Sequence, residues 1–207
     1  MNQLGQPSAL PPQSDPATKK GRSIDRLVTL ALSMVSFVIL MLLFLGPLAM
    51  AQVRQELNST RPLSAKADML GLEQAIKGYR VEYNRLPALE SPPPLVDNAQ
   101  GYNTTSAEGR QIIEILVAKD TKKNPRQITF YEPPVEKDSG AGYNATKGLK
   151  DIWGSKGYII LLDYDGDGLI ADPAHRGSKI SGAVLVYSAG PDGDYTTWHD
   201  NITSWER

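Results

Sequence analysis

Residues 27–51 read LVTLALSMVSFVILMLLFLGPLAMA, 25 residues without a charge. As helix, at roughly 1.5 Å per residue, the run is about 37 Å long, against a bilayer hydrocarbon core of about 30 Å. The apolar region of a cleaved secretory signal is usually shorter, about 7–15 residues. The expectation is therefore a transmembrane helix over 23–51. Residues 1–22 are rich in Pro, Gln and Ser, lack a periodic apolar pattern, and are expected to form a disordered leader. Lys19, Lys20, Arg22 and Arg26 precede the span while Arg54, Arg61 and Lys66 follow it. Charge thus biases the N-terminus only slightly toward the cytoplasm. A short basic leader, one span and then a folded domain is the order an exported domain needs. The expected location is the inner membrane, single-pass, with the N-terminus cytoplasmic and the 52–207 domain periplasmic.

That domain has to hold together without disulfides, because cysteine is absent. Ser64 is a candidate cap for a helix running to Tyr83, in which Met69, Leu72, Ile76, Tyr79 and Tyr83 recur at steps of three and four. Pro87 and the run Pro92, Pro93, Pro94 stop it. A short amphipathic helix is expected over 109–118 from Ile112, Ile113, Leu116 and Val117, then a brief extended run over 124–134. Residues 137–150 are polar and glycine-rich and read as a mobile loop. The strand expectations are 158–162 and 183–187, apolar and β-branched or aromatic, bounded by turn residues. The fold class that follows is α+β: an N-terminal transmembrane helix continuing into an amphipathic helix packed on a small antiparallel β-sheet.

The composition excludes more than it selects. A net charge of -1 gives no field favouring nucleic acid. Two histidines, His175 and His199, have no zinc-ligand spacing, and no serine or glycine motif suggests a nucleophile or a phosphate loop. No catalytic residue is expected. Two acidic loops remain. In the first, Asp192, Asp194 and Asp200 fall within nine residues beside Ser188, Asn201 and Thr203, a density of hard oxygens that suits calcium. The second, DYDGDGLIAD, places Asp163, Asp165, Asp167 and Gly168 like the first half of an EF-hand loop, but position twelve is Ala174, and Asp172 substitutes only in part. Asp-Gly turns between strands explain the same residues.

Three segments in order resemble the major pseudopilins of type II secretion, members of the type IV pilin-like class. AKADMLGLEQAIKGYRVEYNRLP (65–87) resembles their helix end with a Tyr-x-x-x-Tyr-x-x-x-Pro exit. DIWGSKGYIILLDYDGDG (151–168) resembles their Asp-Pro-Trp-Gly strand entry, with Ile152 where proline is usual. VYSAGPDGDYTTWHDNITSW (186–205) resembles their C-terminal loop that closes on Asp-Asp-Ile-x-x-Trp, with Asn201 in place of the second aspartate. The resemblance implies a calcium loop with Asp192 and Asp200 as side-chain ligands and the carbonyl of Ser188 contributing. It implies assembly with further copies or other pseudopilins through the N-terminal helix, and contact with membrane lipid and inner-membrane secretion components. At the cleavage region the chain reads KKGRSIDRLVTL rather than Gly-Phe-Thr-Leu-Ile-Glu, and Asp25 is the only candidate for the acidic residue near the start of the helix. The alternative is an uncleaved membrane-anchored calcium-binding or adhesion module that forms no filament.

Overall fold

A computed structural model of the chain describes the backbone of residues 16–205, and the side-chain surroundings of 28–43 and 60–205. Helix α1 spans Pro16–Tyr83, and the chain divides into two units, Met1–Gln55 and Glu56–Arg207. Residues 1–15 of the expected leader lie outside the described residues, while 16–22 already belong to α1. The expected transmembrane helix is corrected. Among the described residues no helix is long and apolar enough to cross a membrane. Of the apolar run 27–51, only 28–43 have described side chains. The side chains of Leu27 and of residues 44–51 lie outside the described residues.

Ser64 does not cap a helix, because α1 runs unbroken through Pro62 and Ser64 and leaves no orphan N–H groups there to be capped. Its end is marked by Asn84, which takes φ 52°, the left-handed conformation that commonly closes helices. Within the Glu56–Arg207 unit, Met69, Leu72, Ile76 and Tyr79 are buried in one cluster with Tyr158, Ile160, Leu162, Val184 and Val186.

Strands β1 (Tyr102–Asn103), β4 (Tyr158–Leu162), β7 (Val184–Ser188) and β8 (Ile202–Thr203) make an antiparallel sheet in the order β1-β4-β7-β8. Tyr158 faces Ser188 and Leu162 faces Val184 along the central pair. Both strands are buried at every position, which explains why they are apolar up to Ser188. Residues alternate between faces, so Tyr158, Ile160 and Leu162 join the α1 side while Ile159 and Leu161 join Leu185, Tyr187 and Ile170 in a second cluster. Tyr195, Trp198 and Trp205 pack against that second cluster, with Trp198 at 5.2 Å between ring centroids from Tyr187.

Helix α2 (Ala107–Leu116) starts two residues earlier than the periodicity predicts, capped by Ser106, whose Oγ accepts the Gly109 N–H at 3.1 Å. The extended run 124–134 joins no strand, and its Phe130 and Tyr131 N–H groups go to the Leu116 carbonyl. The expected loop 137–150 is instead a hairpin, β2 (Gly142–Asn144) with β3 (Gly148–Lys150). Asn144 Oδ1 turns it by accepting the N–H groups of Thr146 and Lys147. A last hairpin pairs β5 (Leu169–Ala171) with β6 (Lys179–Ser181).

Candidate metal centre

The C-terminal loop leaves β7 at Ser188 and returns as β8. Ser188 is fully buried, and its hydroxyl donates to Asp151 Oδ2 at 2.9 Å and accepts the Gly190 N–H at 3.2 Å. Asp151 is itself fully buried and also holds the Gly154 N–H. Burial pushes its pKa above the ordinary value of 3.8, against the hydrogen bonds from Ser188 and the backbone that favour the charged form. Gly190 takes φ +68°, and a Cβ there would lie 2.2 Å from the Asp200 carbonyl oxygen. The two arms of the loop therefore meet at a point where only glycine fits.

Along the loop Asp192 is exposed, its oxygens engaged by the Asp194 N–H and by the Thr197 hydroxyl. Those bonds, the Thr197 one first, hold its carboxyl below the usual range. Asp194 turns back on the Thr196 N–H and hydroxyl, which lower its pKa in the same way. Two oxygens at the far end differ in kind. Asp200 Oδ1 and Asn201 Oδ1 are buried and have no hydrogen-bond partner, His199 Nε2 being 3.8 Å from the former. Asn201 is 9% exposed, and its Nδ2 is held by the Tyr195 carbonyl at 3.1 Å, which orients the amide. Buried acceptors without donors are costly unless something positive reaches them.

The second loop is organised differently from its EF-hand spelling. Asp163, 4% exposed, takes the N–H groups of Gly166 and Gly168, one on each oxygen. Desolvation nonetheless raises its pKa, with Asp165 and Asp97 adding to the rise. Asp97 accepts the Tyr164 N–H at 2.7 Å and so joins Asp163 and Asp165, the ligand oxygens of all three lying within 4.8 Å of one another. Asp167 does not join them. It pairs with Lys179 at 2.7 Å, which lowers its pKa, while Asp172 caps the turn at Ala174 and contacts His175. Among the described residues, Asp192, Asp194 and Asp200 do not form a comparable group of three.

Sequence reasoning missed Asp97, an isolated acid in a proline-rich segment with nothing local to single it out, and Asp151, whose only signal is its place at the head of the Asp-Ile-Trp-Gly turn. Comparison with protein-family models, curated proteins and solved structures finds no match.

Proposed function

We propose that this chain is a pilin-like structural subunit of a type II secretion pseudopilus or related envelope filament, with the Glu56–Arg207 unit outside the cytoplasm. The observation that carries the reading is the state of α1 over 28–43. Its apolar side chains are exposed on every side, among them Leu32 at 65%, Met34 at 69%, Phe37 at 67% and Leu42 at 68%. A helix apolar all round is stable only when covered, and a contiguous surface of this size marks an interaction site. The helices of further copies, packed side by side, supply that cover in our reading, and the heterologous contact that results repeats into an open filament.

In the same reading the C-terminal loop takes a calcium ion, with Asp192 and Asp200 as side-chain ligands and the Ser188 carbonyl contributing. The unpartnered Oδ1 atoms of Asp200 and Asn201 support this, since calcium accepts six to eight oxygens in adaptable geometry. The ion would supply the positive charge that those buried acceptors lack and tie β8 to the exit of β7. No chemistry on a substrate is involved.

Because the chain has no cysteine, Val35→Cys gives a unique reporter. Thiol crosslinking in intact cells is expected to yield a ladder of multimers, together with a mature N-terminus downstream of Met1. A crosslinked product that stays monomeric, with Met1 intact, would sink the filament reading and leave an uncleaved calcium-binding or adhesion module.

A further inference from the structure

We propose that a recess at the end of α1 binds an oxyanion carried on a small apolar body, the carboxylate of an organic acid or a phosphate ester. The proposal is independent of the filament reading. The recess has a volume of about 260 Å³, and Tyr79, Arg85, Ala88, Glu90, Lys122 and Lys123 are among its lining residues. Three of these are cations and Glu90 is the sole acid in the lining, in a chain whose basic and acidic residues as a whole balance at 22 and 23.

The walls are tied before any ligand arrives. Tyr79 Oη donates to the Lys123 carbonyl at 2.8 Å, and Tyr83 Oη donates to Asn124 Oδ1 at 2.7 Å. Lys123 Nζ in turn donates to the Leu89 carbonyl, fixing the segment after the helix against the 120–124 turn. Asp120 Oδ1 accepts the Lys122 and Lys123 N–H groups at 3.0 Å each, and its charge also acts on Tyr79. A preformed pocket loses less ordering entropy on binding than a flexible surface does. Its inner wall is apolar, formed by the buried Tyr79 ring and Ala88. The Arg85 charge acts on the Tyr79 phenol, against the burial that raises its pKa. An ordinary solvated basic face has no such enclosed aromatic wall. Arg85 and Lys122 are exposed at the recess, where an anion would relieve their mutual repulsion, and the guanidinium of Arg85 presents paired donors suited to carboxylate or phosphate oxygens.

The test titrates the full chain with phenyl phosphate, benzoate and inorganic phosphate, following the amide resonances of Ser91, Lys122 and Lys123, with sodium chloride at matched ionic strength as control. Saturable shifts with an aromatic anion are expected, weakened about tenfold or more in the double variant Arg85→Gln/Lys122→Gln and strengthened several-fold in Glu90→Gln, where the repelling charge is gone. Tighter binding of phenyl phosphate assigns the phosphate-ester source, and tighter binding of benzoate assigns the carboxylate. Shifts that grow linearly, that chloride reproduces, or that the double variant retains in full would overturn the proposal. Inorganic phosphate binding as tightly as phenyl phosphate would overturn the apolar-body part of it.

Discussion

Asp151 is the buried carboxylate on which the C-terminal loop hangs, and its raised pKa has a definite sign in stability. Below pH 3.8 both folded and unfolded chains carry it protonated. As pH rises from there toward the raised folded pKa, the unfolded chain loses its proton first, so this group withdraws stability across that window and none further above it. Asp151→Asn removes the titration while keeping one acceptor oxygen for Ser188. The difference in melting temperature between variant and parent is expected to move in the variant's favour through the window and to level off above it. A difference that is flat with pH would show that Asp151 does not titrate there. Gly190 is a second residue-scale test. Gly190→Ala combines a left-handed φ, about 1–2 kcal/mol for a residue with Cβ, with a 2.2 Å collision against the Asp200 carbonyl. Gly166→Ala, at φ +75° with nothing within 4 Å, has only the first cost, so urea denaturation should rank Gly190→Ala clearly worse. Calcium belongs at this scale too. At about 100 times its dissociation constant it should add about 2.7 kcal/mol, roughly 5–10 °C in melting temperature, with magnesium doing less. Asp192→Ala is expected to abolish the difference. If Asp165→Ala abolishes it and Asp192→Ala does not, the ion sits at Asp97, Asp163 and Asp165.

At the scale of elements, α1 presents two different faces within the Glu56–Arg207 unit. Leu72 is fully buried against the sheet whereas Leu70 is 40% exposed. Leu72→Ala is therefore expected to cost about 3 kcal/mol in urea denaturation and Leu70→Ala less than about 1 kcal/mol, and equal losses would refute the packing described above. The stripe through Met69, Leu72, Ile76 and Tyr79 was legible because a period of three and four is imposed by the helix itself. Strands β4 and β7 were legible because both faces are covered, leaving Ser188 at the end of β7 as the one polar position among them. The β2–β3 hairpin was not legible. Its strands are three residues each, and its polar residues, Asn144 above all, spend their side chains on the turn rather than on any periodic face. The Ser64 cap failed for a related reason, since capping chemistry says where a helix is able to begin and not whether upstream helix already occupies the place.

At the scale of the molecule, local spelling and spatial grouping part company. The loop 163–172 spells a cation site, yet folding sends Asp167 to Lys179 and Asp172 to the next turn, and recruits Asp97 from a distant segment. Only tertiary structure brings Asp97 there, which is why no sequence pattern contained it. The long apolar run shows the reverse, being plain in sequence and, over 28–43, just as plainly uncovered in the structure.

Lys66 on α1 donates to the Thr203 carbonyl at 2.5 Å across 137 positions, and β8 completes the sheet from the same segment. The first helix of the domain is thus latched by its last strand. A ribosome adding about 5–20 residues per second needs roughly 6–24 s to travel from Tyr83 to Thr203. For that interval the nascent chain carries the Met69 to Tyr79 stripe with no completed sheet to bury it against.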